Sequence, residues 1–167
     1  MIVVDKTYPA THKIHYTRSL IKSDKNIIYL CSLLKLSWMT TLSDITTLDD
    51  IKLLVNTFYD KVQQDPLIGP VFNEKIGDRW PEHLEKMYRF WQTILLEVHS
   101  YSGSPFPPHK HLPVEKEHFN RWMEIFTATV DHLFAGAIAD EAKLRAHNMA
   151  EMFFYKIDYF RNLYSKE

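Results

Sequence analysis

Residues 101–122 read YSGSPFPPHKHLPVEKEHFNRW and hold the most informative pattern in the 167-residue chain. Their first part, Tyr101 to Pro113, contains four prolines and one glycine, which predicts an irregular loop long enough to carry functional groups. From about Glu115 onward, apolar residues recur at helical spacing, beginning with Phe119 and Trp122. The stretch therefore predicts a loop with two histidines that leads directly into a helix.

Two further helices are predicted before this loop. Thr47 and Asp50 are spaced like a weak capping box, and the apolar positions that follow predict a first helix. The segment 65–72 contains two prolines and a glycine, which predicts a compact turn rather than a continued helix. We expect a second helix, capped by Asp78, that extends to about Val98.

The helix that follows the loop is the third, and it is predicted to end with Gly136 as a C-cap. A fourth helix is expected from about Asp140, with small and apolar residues on its buried side. No segment has a convincing β-strand pattern. The prediction is an all-α domain of four main helices.

The composition excludes several classes of protein. Hydrophobic residues make up 46% of the chain and charged residues 25%, with a formal net charge of −1, so intrinsic disorder and a broad nucleic-acid-binding surface are not expected. Cys31 is the single cysteine, which excludes an intramolecular disulfide framework and favours a reducing, cytoplasmic location. The 4 glycines stand beside 23 aromatic residues, which disfavours the glycine-fingerprint nucleotide folds.

The N-terminal region differs from the rest of the chain. Its apolar run, Ile27 to Trp38, is shorter than the ~20 residues that a membrane span requires, so no membrane association is expected. The well-patterned region begins close to Met39. We therefore expect residues 1–40 to be an N-terminal extension, disordered or not native to the working protein, and residues 41–167 to form the functional domain.

Few kinds of chemistry fit the remaining residues. The helices carry no His-Glu-x-x-His pair, and no serine lies in a Gly-x-Ser-x-Gly turn, so zinc hydrolase and serine hydrolase sites are not indicated. Tyr59, His83, His109 and Trp122 are instead residue types found in haem pockets. Haem iron needs an axial nitrogen, and tyrosine and tryptophan supply hydrogen-bond donors on apolar side chains.

At these residues the sequence resembles the group III truncated haemoglobins, a bacterial branch of the globin superfamily. The resemblance extends over residues 44–160, and its most specific part is the Tyr-x-Gly-x-Pro-x-x-x-His run from Tyr101 to His109, followed by the Phe-x-x-Trp helix at Phe119. The other matching motifs are Phe58-Tyr59-Asp60-Lys61-Val62, Leu67-Ile68-Gly69-Pro70-Val71-Phe72-Asn73, Trp80-Pro81-Glu82-His83, Phe90-Trp91, His118-Phe119-Asn120-Arg121-Trp122 and Arg145-Ala146.

The resemblance implies the short globin fold, a two-over-two helical sandwich around haem b. It implies that His109 is the proximal iron ligand, Tyr59 the main distal donor and Trp122 the second donor. It also implies that His83 is the distal histidine and that Phe72 packs on the porphyrin. Further porphyrin contacts are expected from Met87, Phe90 and Trp91.

Alternatives to these roles remain open in the sequence. His111 lies two positions from His109 and competes with it for the iron, although the spacing from Pro105 favours His109. Tyr59 would also suit a core tyrosine bonded to the backbone, and His83 would suit a solvent-facing position on its helix. The tryptophan and phenylalanine positions would belong to the core of any helical bundle.

The function that the resemblance implies is binding of oxygen and other diatomic gases, for oxygen transport or sensing. One alternative is a haem-dependent nitric oxide dioxygenase or peroxidase-like enzyme, in which the same distal donors assist turnover. A second alternative is a haem-free helical interaction module. For the haem protein we expect a reductase partner and a monomer or weak dimer.

Overall fold

A computed structural model describes residues 41–164, and the predicted extension over residues 1–40 lies outside them. The described chain is helical and contains no β-strand, which confirms the predicted all-α class. Its elements are α1 (Leu48–Gln64), α2 (Gly69–Ile76), α3 (Trp80–Leu95), a 3₁₀ turn (Pro107–His109), α4 (Lys116–Leu133) and α5 (Ala137–Tyr164).

Helix α1 begins as its sequence predicts. The Thr47 hydroxyl accepts the backbone N–H of Asp50 at 3.2 Å, and the Asp50 carboxylate accepts the Thr47 N–H at 2.8 Å, which completes the capping box. One face of the helix is buried, and Phe58 and Tyr59 lie on it near the middle of the domain. The cap fixes where the helix begins, and the apolar face places the Tyr59 side chain in the interior of the protein.

The segment predicted as a compact turn contains a helix, α2, so that prediction was wrong in part. Pro70 lies in the first turn of α2, where no backbone N–H is needed. The Asp65 carboxylate accepts the N–H groups of Leu67 and Ile68 at 3.0 and 3.1 Å, which stabilises the turn before the helix. A Cβ atom on Gly69 would lie 2.9 Å from two carbonyl oxygens of α1, so only glycine allows α2 to approach that closely.

Both ends of α3 differ from the prediction. Its N-cap is Arg79 and makes no side-chain cap, so the predicted capping role of Asp78 was wrong, whereas Pro81 occupies the first turn as expected. The helix ends at Leu95 rather than Val98, which is 46% exposed. Glu97 adopts a positive φ of 55°, a conformation that does not continue a right-handed helix.

The junction between α4 and α5 was also predicted imperfectly. Phe134, not Gly136, is the C-cap of α4, and Gly136 instead precedes α5 with a φ of 149°. Helix α5 begins at Ala137 rather than Asp140, because the Asp44 carboxylate accepts the N–H groups of Ile138 and Ala139 at 2.9 and 2.8 Å. Asp44 therefore caps a helix that lies far from it in the sequence.

Substitution of Asp44 by alanine should lower the free energy of unfolding by about 1 kcal/mol, the usual cost of losing an N-cap. Burial alone would raise the pKa of Asp44, but the N–H groups of Ile138 and Ala139 bond its carboxylate and lower the pKa below 3.8. Its contribution should be complete above pH 3.8 and be lost as the pH falls through the lower folded-state pKa. Urea unfolding at neutral and acidic pH measures this, with the exposed Asp60→Ala as control; equal losses in both variants would contradict the capping role.

The helices pack as two pairs, which confirms the predicted two-over-two arrangement. Helix α1 packs against α3, α4 packs against α5, and α1 joins the two pairs by its contact with α4. The Asp65–Arg121 ion pair, with 2.7 Å between carboxylate and guanidinium, ties the start of α4 to the turn before α2. No helix within residues 41–164 is long and apolar enough to cross a membrane. The helix pairs leave a cavity between them.

Candidate functional site

A cavity of about 870 Å³ lies among α1, α2, α3, α4, α5 and the irregular loop. Its volume is within the range of small-molecule and cofactor sites, which is about 300 to 1,000 Å³. All eight residues named from the sequence line this one cavity: Tyr59, Phe72, His83, Met87, Phe90, Trp91, His109 and Trp122. The fold therefore brings together residues that span more than sixty positions of the chain.

His109 lies at the end of the 3₁₀ turn and is half-buried. Its Nδ1 is 2.8 Å from the Pro105 carbonyl oxygen. Because a carbonyl can only accept, Nδ1 must carry the proton, and Nε2 is left with its lone pair. Burial lowers the pKa of His109, which favours the neutral ring. This is the arrangement that metal-ligating histidines generally show.

The other histidine of the loop, His111, is exposed and does not line the cavity. The geometry therefore favours His109 over His111, as the spacing from Pro105 does in the sequence. Phe153 of α5, which the sequence indicates only as a buried residue of its helix, packs against the His109 ring with 4.8 Å between the ring centroids. It forms part of the wall on the histidine side of the cavity.

Tyr59 also lines the cavity and is buried, with only 5% of its surface exposed. Its ring centroid lies 6.0 Å from Phe72, 5.8 Å from Trp80 and 4.9 Å from His83. Burial raises the pKa of Tyr59 well above its ordinary value, so the hydroxyl keeps its proton. Tyr59 is therefore able to donate a hydrogen bond within the cavity.

His83 presents a buried nitrogen with no hydrogen-bond partner. Among the described residues, the His83 Nε2 is the one buried side-chain nitrogen or oxygen that has no hydrogen-bond partner. Burial, followed by the charges of His109, Lys86 and Arg79, lowers the pKa of His83 to about 4, so the ring is neutral at pH 7. An unpaired buried polar atom costs about 1–3 kcal/mol, which a ligand in the cavity would recover.

Trp122 is held by a stack of aromatic rings. Its ring lies parallel to Phe126, with 5.3 Å between centroids and an angle of 7°. Phe126 stacks in turn on Trp91 at 5.0 Å. These contacts hold the indole of Trp122 in place where it lines the cavity, and an indole N–H is a hydrogen-bond donor.

Four cationic residues line the cavity in addition to the residues that the sequence singled out: Lys75, Arg79, Lys86 and Arg89. Two acidic residues, Glu82 and Glu85, lie on the same rim. Lys86 and Arg89 follow His83 at intervals of three, so extension of the His83 face along α3 would have identified them. The other additional lining residues are mostly apolar and include Tyr101, Phe119 and Phe153.

These features fit haem. The macrocycle requires apolar and aromatic walls, its iron requires a neutral imidazole, and its two carboxylates favour nearby cations. His109 is the neutral imidazole with a fixed tautomer, and the orphaned His83 Nε2 and Tyr59 provide polar groups for a ligand. Within residues 41–164 no three His, Cys, Asp or Glu side chains form a cluster that would hold a bare metal ion.

Comparison with known proteins agrees with the fold. The family model for bacterial-like globins matches residues 42–155. The group 3 truncated haemoglobin ctb of Campylobacter jejuni is 32% identical over 109 residues, which cover 63% of this chain and 86% of that protein.

The structure also matches a known crystal structure. The group III truncated haemoglobin from Campylobacter jejuni superimposes with a TM-score of 0.65 and 29% identity, over 70% of this chain and 95% of that one. Sequence and fold thus agree: the chain belongs to the bacterial-like globin family and, within it, to the group III truncated haemoglobins.

Proposed function

We propose that the cavity holds haem b and that the protein binds oxygen as its main diatomic ligand. Membership of the globin family supports a haem protein that binds small ligands. The observation that carries the specific proposal is the pairing, across one cavity, of His109 with a fixed tautomer and of the unpartnered Nε2 of His83. The haem iron would supply the centre at which the gas binds.

Different residues of the cavity would hold the iron and bind the gas. His109 would hold the iron through Nε2, because its Nδ1 is already bonded to the Pro105 carbonyl. Tyr59 would donate the main hydrogen bond to the gas, and Trp122 the second. Phe72, whose ring lies edge-on to Tyr59, would pack on the porphyrin.

The remaining lining residues would bind the porphyrin. Met87, Phe90 and Trp91 lie on one face of α3 and line the cavity, so they would contact the macrocycle. The cations on the rim would neutralise its carboxylates.

A second candidate is a haem enzyme that oxidises nitric oxide or cleaves peroxide. The observation that favours it is His83, a neutral histidine that lies 4.9 Å from Tyr59 between ring centroids and so offers a proton acceptor beside the ligand. Such an enzyme would need a reductase. Steady-state consumption of nitric oxide or peroxide, compared between the wild type and His83→Leu, separates turnover from simple binding.

We also propose a cytoplasmic location and a monomer or weak dimer. A single cysteine in the chain supports a reducing compartment. Cell fractionation would test the location. Analytical ultracentrifugation of the haem-loaded protein at several concentrations would test the oligomeric state.

The absorption spectrum of the protein, expressed with an adequate supply of haem, tests the proposed function. We expect one haem bound per chain, with a Soret band that shifts when the reduced protein is exposed to carbon monoxide. A chain that folds as described but shows no Soret band would contradict both haem proposals. That result would leave a haem-free helical interaction module as the function.

A further inference from the structure

The loop that carries His109 is fastened to α5 by a stack of two rings and two cations. The Phe106 and Phe160 rings are stacked at 23° with 6.1 Å between centroids. The Lys110 ammonium lies 4.1 Å from the centroid of Phe160, and the Lys156 ammonium lies 5.1 Å from that of Phe106. We call these four residues the proximal clasp.

The proximal clasp is reciprocal. The loop contributes Phe106 and Lys110, and α5 contributes Phe160 and Lys156, so each cation lies over the ring of the other element. Both distances are within the ~6 Å at which a cation is attracted to an aromatic face. The loop and the helix are therefore joined by one ring contact and two cation–π contacts.

A second attachment follows a few residues later in the chain. The Arg161 guanidinium donates to the Glu115 carboxylate at 2.7 Å and to the Val114 carbonyl oxygen at 2.8 Å. The segment from Phe106 to Glu115 is thus connected at both ends to the C-terminal part of α5. A loop with little regular structure of its own is held by these contacts.

His109 lies between the two loop residues of the proximal clasp. Its backbone N–H donates to the Phe106 carbonyl at 2.8 Å, and its ring rests on Phe153, which also contacts Phe106 at 5.5 Å. None of the four residues of the proximal clasp lines the cavity. Any effect that they have on the cofactor must therefore pass through the residues that they contact, of which His109 is the one that offers a ligand nitrogen.

We propose that the proximal clasp positions His109, holding its imidazole in the orientation that presents Nε2 to the haem iron. This inference rests on the proposed function and extends it to residues that do not touch the cofactor. Groups that orient a metal-ligating histidine commonly change metal affinity ten- to a hundredfold when they are removed. Phe160 is a positioning residue in this proposal, since it acts through the loop.

Phe160→Leu in the haem-loaded protein tests the proposal, because it removes the ring on which both Phe106 and Lys110 rest. We expect haem loss to a scavenging apoprotein to become about tenfold faster. The iron–histidine stretching band in the resonance Raman spectrum of the ferrous protein should also shift or broaden. Phe160→Tyr keeps the ring and should restore both properties.

Phe154→Leu is the matched control. Phe154 lies on the same helix and also carries a cation, Lys116, over its ring, but it packs on Phe119 of α4 rather than on the loop. The Phe154→Leu substitution should leave the iron–histidine band unchanged. If Phe160→Leu does not fold, Lys110→Met supplies the same comparison with a smaller disturbance of the core.

Two outcomes would overturn the proposal in distinguishable ways. A wild-type protein without a Soret band would contradict the proposed function, and the positioning role would fail with it. A normal Soret band, with haem loss and an iron–histidine band in Phe160→Leu that match those of Phe154→Leu, would contradict the positioning role alone.

Discussion

Replacement of His109 by alanine should abolish stable haem retention. The iron would lose the protein nitrogen that the Pro105 carbonyl holds in the correct tautomer. Because removal of a group that only orients such a ligand costs ten- to a hundredfold in affinity, loss of the ligand itself should cost more than about a hundredfold. Haem transfer to an excess of a scavenging apoprotein measures the loss.

His111→Ala is the control for this prediction, since His111 is exposed and lies outside the cavity lining. Its haem retention should match that of the wild type. Added imidazole should partly restore the Soret band of His109→Ala, because it returns a nitrogen donor to the space that the side chain leaves. If His111 were required for haem and His109 dispensable, the assignment of the proximal residue would be wrong by two positions.

The parts of the fold that could be predicted are those with local causes. Thr47 and Asp50 form their capping box within one turn, and Pro81 fits the first turn of α3 by its fixed φ. The spacing of apolar residues is likewise visible in the sequence, because it reflects which face of each helix is buried. Four of the five helices follow from these signals.

Two of the errors arose where a distant residue contributes to the local structure. The prolines and the glycine between residues 65 and 72 indicate a turn, yet α2 begins at Gly69, after a turn that Asp65 stabilises while paired with Arg121, 56 positions later. Helix α5 begins early because Asp44, which is 94 positions before Ile138, caps it. No local pattern contains that information.

In the candidate site, too, some residues could be predicted from the sequence and others depend on the tertiary structure. The histidines, tyrosine and tryptophan could be named because few residue types suit a haem pocket, and the resemblance located them. Lys86 could have been found by extending the His83 face along α3. Lys75 of α2 could not, because charged residues on a helix usually face solvent and only the fold shows that Lys75 lines the same cavity. The contact between Phe106 and Phe160 likewise depends on tertiary structure.

Replacement of Tyr59 by phenylalanine should speed oxygen release while leaving haem in place. Oxygen bound to a haem iron in the proposed site would carry partial negative charge, and the buried hydroxyl of Tyr59 keeps its proton, so a hydrogen bond between them would be charge-assisted. Such bonds contribute about 1.5–3 kcal/mol. At about 1.4 kcal/mol per decade, oxygen affinity should fall ten- to a hundredfold, mainly through faster dissociation.

Stopped-flow release of oxygen and of carbon monoxide from the same variant separates this effect from a general loosening of the pocket. Carbon monoxide is a poorer acceptor, so its dissociation should change less. Trp122→Phe should act in the same direction as Tyr59→Phe. If both donors share one ligand, the double variant should depart from the sum of the two free-energy changes. An unchanged oxygen release rate in Tyr59→Phe would mean that Tyr59 does not face the ligand, because loss of a charge-assisted bond to it must accelerate release.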